Sequence, residues 1–342
     1  MADKFNEIVL VAWLHCIEIF RKLTQGEKSP NSEMEFKDFI VKTLPNDVDR
    51  AFIEKLLNSY KTPKTFEEKL LAYSIDLATG EKDFLSNDYE HTQPLINIIS
   101  TLRLTDFSDG KTNYSKLAPL KDGAFLDYNT ENTLNKTDIY SQFINDFKKL
   151  ANRKYTEFLP SLVSLFEHYF WCIPVSDREL QDVSLFQYAK MTVVFVASLY
   201  RYHEKTQTLN ENAFDDADKK KFRIISGDMS GIQKYIFDLK TPSNAAKLLR
   251  AKSFQLLALS MLISEYIVEE FGLTSANIIT AAGGKFLILL PNIPDIEDCI
   301  SELRLKFETY FLKEFAGRLF LYFRMEWLFL QTNSVVETLH LV

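Results

Sequence analysis

The chain has 342 residues, 46% of them hydrophobic and 13% aromatic, and carries a net charge of -7. That length favours two domains over one, and the apolar share is enough for sizeable cores. The acidic balance excludes a protein that coats nucleic acid along its whole surface and leaves room only for local basic patches.

Cys16, Cys172 and Cys299 lie far apart and form no CxxC pair. Neither a zinc site nor a disulfide framework is indicated, and a reducing cytoplasm fits. The apolar run at 8–17 is flanked by Asp3, Lys4, Glu7, Glu18 and Arg21 without a small-residue cleavage site, which argues against a signal peptide. The apolar segment 254–271 is interrupted by Glu265, Glu269 and Glu270, which argues against a membrane span.

From residue 5 to about 202 the apolar period is helical. It predicts helices over NEIVLVAWLHCIEIFRKL, DVDRAFIEKLLNSY, TFEEKLLAYSIDLA and QPLINIISTLRL, with turn-rich pieces at 26–32 and 108–114. After a loop at 125–137, helices resume over IYSQFINDFKKLANR, EFLPSLVSLFEHYFWCI and 185–202. The stretch TQTLNENAFDDADKKK is polar and charged, and reads as an interdomain linker or a long exposed loop. The expected division is a helical domain at 1–205, a linker at 206–221 and a second domain at 222–342.

In the second domain, FRIIS predicts a strand, and helices follow over 230–239 and 244–271 with a break at Pro242. ANIITAA and FLILLP are short strands joined by Gly283-Gly284-Lys285, a hairpin signature because glycine permits positive φ. A helix over 296–315 and a strand over 318–330 complete a βαββαβ order. This is the ferredoxin-like split motif, shared by polymerase and nucleotide-cyclase palms, so the fold class is α+β.

The stretch GDMSGIQKYIF reads as a strand-to-helix turn. A carboxylate beside exposed N–H groups suits a metal or phosphate site, while the plainer reading of these residues alone is an ordinary turn with Ser230 as N-cap. A catalytic palm needs facing carboxylates on its first strand and central hairpin to hold two divalent ions. Here the strand supplies Asp228, a candidate metal ligand, while the hairpin supplies Gly283, Gly284, Lys285 and Phe286 without an acid. The glycines would let a backbone approach a ligand and Lys285 would offset phosphate charge, so nucleotide binding without catalysis stands beside a plain tight hairpin.

GDMSGIQKYIF, AAKLLRAKSFQLLALS and NIITAAGGKFLILLP together resemble the first palm of the large signature subunit of type III CRISPR effector complexes, in its III-A form. Upstream, WCIPVSDRELQDVSLFQYAKMTVVFVASLYRY resembles that family's IPSST...DVSLYDHSKTTAA segment. SIDLATGEKD resembles its ADxLSSGER stretch, and NYSKLAPLKDG stands at its Leu-x-Pro-Leu loop. The resemblance runs from about residue 8 to 327. It implies an HD-type helical domain, which in the family cuts single-stranded DNA, followed by a palm that shares ATP and magnesium or manganese with a second palm. That second palm carries a Gly-Gly-Asp-Asp hairpin, and the pair forms cyclic oligoadenylate.

Carried over by position, Asp228, Ser230, Gly283, Gly284 and Lys285 are the expected nucleotide-pocket residues, and Arg250 and Lys252 are candidate phosphate or RNA contacts. The HD pattern is depleted. His15-Cys16 stands where the family has His-Asp, no His-His pair occurs between Ala51 and Glu68, and Asn31-Ser32 replaces a further histidine. His15 and Asp76 remain as remnants, too few for a two-metal site, so loss of the DNase activity is expected. His91, His168, His203 and His340 are isolated.

The expected role is antiviral defence in the cytoplasm, as scaffold and ATP-binding half-site in an RNA-guided complex. Its partners are the complex's other subunits, guide and target RNA, and a second palm half or a homodimer. The chain could be an excised fragment, a split subunit or a natural truncation. A stand-alone nucleotidyl cyclase or HD phosphohydrolase and a purely structural adaptor are the alternatives.

Overall fold

The computed structural model of the chain describes residues 4–25, 30–80, 94–97, 113–124, 128–129, 137–175, 182–215, 220–238 and 244–328. The chain divides into two compact units, Met1–Val193 and Val194–Val342.

In the first unit, helix α1 (Phe5–Gln25) is apolar on nearly every side, as a central helix must be. Val9, Leu10, Val11, Ala12, Cys16, Ile17 and Phe20 are fully buried. Helix α2 (Pro30–Thr43) packs on α3 (Arg50–Ser59), and α3, α4 (Phe66–Thr79), α5 (Thr137–Lys148) and α6 (Tyr155–Phe170) pack on α1. Asp49 caps α3 by accepting from the Phe52 N–H, and Thr65 with Glu68 forms a capping box on α4. Phe20, Phe143, Phe166 and Phe170 pack with ring centroids 4.5–6.2 Å apart.

QPLINIISTLRL is not helical where it is described. Ile96 bridges Tyr114, and the Ser115 N–H donates to the Leu95 carbonyl at 2.8 Å. Proline at 94 and the β-branched run after it favour extended backbone over helix. Residues 98–104 lie outside the described set. Tyr114–Ser115 (β1) also pairs with Tyr128–Asn129 (β2) in segments expected to be turns and loop.

Helix α7 (Leu185–Lys205) contains the division between the units. The segment 206–221 follows inside the second unit; Gln207, Asn210, Glu211, Asn212, Asp215 and Lys220 are exposed, and a few of its residues are anchored. Lys221 is buried with Nζ donating to the Ala213 carbonyl, the Asn292 amide donates to the Lys220 carbonyl, and Phe214 meets the His203 ring. Phe214 supplies an apolar anchor that its charged neighbours conceal.

The second unit runs β3 (Phe222–Ser230), α8 (Ile232–Phe237), α9 (Ala245–Glu270), a 3₁₀ turn at Ser275–Asn277, β4 (Ile278–Ala282), β5 (Lys285–Pro291), α10 (Ile296–Phe315) and β6 (Phe320–Leu328). This is the expected βαββαβ order, and the sheet is antiparallel in the order β4-β5-β3-β6. One face packs on the helices. Ile225, Met229, Phe286, Ile288, Leu290 and Leu321 join Leu256, Ile263 and Ile267 of α9 and Ile300, Phe307 and Phe311 of α10 in one core.

Among the described helices, only α9 has the length and apolar content that would allow it to cross a membrane. Its Leu256, Leu259, Ile263, Ile267 and Val268 are buried in the sheet–helix core.

Candidate functional site

The strand expected to stop at Ser226 continues through Ser230. Gly-Asp and Ser-Gly are turn formers in isolation, but here residues 222–230 pair with β6 along their whole length and, as far as Asp228, with β5. Ser230 is therefore the last strand residue, opposite Phe320, and not an N-cap. Gly231, at φ 88°, caps the six-residue α8 without a side-chain bond.

Strand alternation sorts the residues into two faces. Ile225 and Met229 face the helices, so Ile224, Ser226, Asp228 and Ser230 lie on the other face. At one end that face is covered by the second half of α7, with the Phe195 and Phe222 rings 5.5 Å apart. The buried Asn277 amide donates to the Ser198 hydroxyl and the Leu289 carbonyl, each at 3.0 Å, fastening helix to sheet. At the other end Asp228, Ser230, Lys285, Phe320 and Tyr322 are exposed, and no described residue of this unit covers them.

On that uncovered end Asp228 has Lys285 as its partner on β5 and Tyr322 as its partner on β6. A cation, a carboxylate and an aromatic ring thus form one row across three strands. Lys285 Nζ stands 3.5 Å from Asp228 Oδ2, and the side chains are 72% and 57% exposed. The next row holds Leu287, Ser226 and Arg324, and Arg324 pairs with Glu326 at 2.5 Å.

Gly283 and Gly284 both have positive φ, 63° and 89°, which makes a two-residue hairpin possible beside the row. The Gly284 carbonyl accepts from the Met229 N–H at 2.8 Å, which ties the turn to β3. A Cβ on Gly283 would meet open space, so a ligand can approach the backbone there.

A triphosphate fits this arrangement, because Lys285 and exposed backbone lie together. A divalent ion is less well served. The row contains one carboxylate, already facing a lysine, whereas magnesium takes several oxygen ligands. Among the described residues no group of three or more His, Cys, Asp or Glu could hold a metal.

The other expected contacts lie apart from the row. Lys252 donates to the Tyr235 and Asp238 carbonyls at 2.7 and 2.8 Å, so its ammonium closes the C-terminal end of α8. Arg250 is exposed on α9, in the helical layer. A cavity of about 430 Å³ lined by Arg201, Tyr266, Glu269, Pro291, Cys299 and Lys306 opens at the far end of β5. That is about 20 Å along the strand from Lys285, and the cavity contains none of the expected residues.

In the helical unit His15 is buried. Its Nδ1 lies 2.7 Å from the Ala12 carbonyl and its Nε2 2.9 Å from the Tyr188 hydroxyl. A carbonyl only accepts, so Nδ1–H donates and Nε2 accepts from the tyrosine. Burial pushes the imidazole pKa down to about 4, which agrees with this neutral form. Burial also pushes the Cys16 thiol up. Asp76 is half-buried on α4, and its charge acts on Tyr73 and Tyr188. His91 and His340 lie outside the described residues.

Two features escaped the sequence reading. Set against DVSLYDHSKTTAA, the segment DVSLFQYAKMTVV has Gln187 at the aspartate and Tyr188 at the histidine, a signal present in the motif itself. Tyr322 carried no motif and emerges only from strand register.

Residues 221–340 match the family described as Csm1 subunit domain B. The CRISPR system single-strand-specific deoxyribonuclease Cas10/Csm1 (subtype III-A) of Streptococcus thermophilus is 31% identical over 173 residues, covering 48% of this chain and 23% of that protein. Two solved Csm1-Csm4 cassettes, one in complex with AMPPNP and one with cA4, share the fold with TM-scores of 0.68 and 0.67. Each is 21% identical and covers 96% of this chain and 45% of the matched chain. The chain is thus similar, in its second unit above all, to the Cas10/Csm1 large subunits of subtype III-A CRISPR systems. It spans less than half the length of these relatives.

Proposed function

We propose that the second unit is a first palm and supplies half of a shared ATP site, with the chain acting as scaffold and half-site in a type III-A CRISPR effector complex of the cytoplasm. The observation that carries this reading is the Lys285–Asp228 pair beside the Gly283-Gly284 turn on the uncovered sheet face. Lys285 offsets triphosphate charge, the glycine backbone admits the phosphates, and Asp228 contributes one carboxylate toward a divalent ion. A second palm with a Gly-Gly-Asp-Asp hairpin supplies the remaining carboxylates, and bound magnesium or manganese would align the triphosphate for adenylate transfer. Cyclic oligoadenylate then forms only at the joined site. The AMPPNP and cA4 complexes of the related cassettes support an adenine nucleotide as the ligand, and their Csm4 supports a subunit of that kind as a partner. Guide and target RNA act through the assembled complex.

The first unit acts in this reading as an HD-type scaffold without DNase activity. Both imidazole nitrogens of His15 are engaged, which leaves no lone pair for a metal. Mixing the chain with a Gly-Gly-Asp-Asp palm protein, ATP, magnesium and target-bound complex should yield cyclic oligoadenylate. Product from this chain alone would overturn the division of roles.

A further inference from the structure

Tyr322 is 62% exposed and Phe320 47% exposed, two residues apart on the uncovered face of β6. Their neighbours Leu321 and Phe323 face the helical core, so the alternation of the strand directs both rings outward. The Tyr322 hydroxyl makes no hydrogen bond among the described residues. Large aromatics bury their area when a fold can use it, and here two remain available beside the only carboxylate of the row.

We propose that Tyr322, flanked by Phe320, is the base-stacking surface of the nucleotide site, taking the purine whose phosphates lie at Lys285; this rests on the half-site reading above. Neighbouring strands are about 4.8 Å apart, so Tyr322 and Lys285, on either side of Asp228, are separated by about 10 Å. A nucleotide laid across the row places its base on Tyr322, its ribose over Asp228 and its phosphates at Lys285 and the glycine turn. Stacking uses the π-face of the base and not its edge, so this surface favours purines over pyrimidines by area and does not separate adenine from guanine.

The test titrates ATP, UTP and inorganic tripolyphosphate, in magnesium, into the full chain mixed with the Gly-Gly-Asp-Asp palm protein. Tyr322→Ala should weaken ATP binding roughly tenfold or more and leave tripolyphosphate binding unchanged. Tyr322→Trp should retain ATP binding, with indole emission quenched by the bound base, and UTP should bind more weakly than ATP. Equal ATP affinity in Tyr322→Ala and the unsubstituted chain overturns the stacking role and leaves the half-site standing. Equal losses for ATP and tripolyphosphate also overturn it, because they mark Tyr322 as a contact to protein. Failure of the folded, unsubstituted mixture to bind any of the three overturns both readings.

Discussion

Lys285 and Asp228 face each other across β5 and β3, with Nζ 3.5 Å from Oδ2, at the one end of the sheet that α7 leaves bare. Two well-solvated charges at that distance add little to folding, on the order of 0–1 kcal/mol. Lys285→Ala should therefore leave the melting curve of the second unit nearly unchanged while abolishing tripolyphosphate binding. A large loss of stability with binding intact would make the pair structural.

The glycines of this unit should separate by mechanism. A Cβ on Gly227 would stand 2.0 Å from the Phe286 ring, which is buried in the core and has nowhere to go. Gly227→Ala should cost about 1–3 kcal/mol by overpacking. Gly283→Ala meets nothing within 4 Å and carries only the strain of its positive φ, about 1–2 kcal/mol. Denaturant titration of the two variants checks the order.

Asn277 should be a sensitive position. Its amide serves the Ser198 hydroxyl and the Leu289 carbonyl, and its Oδ1 accepts from the Thr274 hydroxyl at 3.2 Å. Asn277→Leu removes these bonds at a fully buried site and should destabilise the second unit by about 2–3 kcal/mol, read by denaturant titration.

His15 should make the helical unit acid-sensitive. Its folded pKa of about 4 lies below the ordinary 6.5, so the unfolded chain binds the proton more readily. The neutral, buried imidazole contributes its full stability above pH 6.5 and loses it as pH falls toward 4, by up to about 3 kcal/mol. Urea unfolding followed through Trp13 and Trp171 should show this slope between pH 7 and 4.5, and His15→Gln should flatten it.

The helix Ile296–Phe315 and the hairpin at Gly283-Gly284 were legible because apolar period and turn chemistry agree at both. The GDMS stretch misled because its local preference is for a turn, while pairing with two neighbouring strands, visible only in the assembled sheet, holds it extended. Asp228 and Lys285 could be named from sequence, but their meeting required register. Tyr322 could not, since strand alternation reads the same whichever face a helix covers. Nor could the His15–Tyr188 bond, which joins residues 173 apart.

The most direct test of the half-site is calorimetric titration of ATP with magnesium into the chain plus the Gly-Gly-Asp-Asp palm protein, repeated with Lys285→Ala and Asp228→Ala. Saturable binding that Lys285→Ala abolishes, with the variant folded and still associated, is the expected result. Binding that neither substitution alters would contradict the account and place the nucleotide elsewhere.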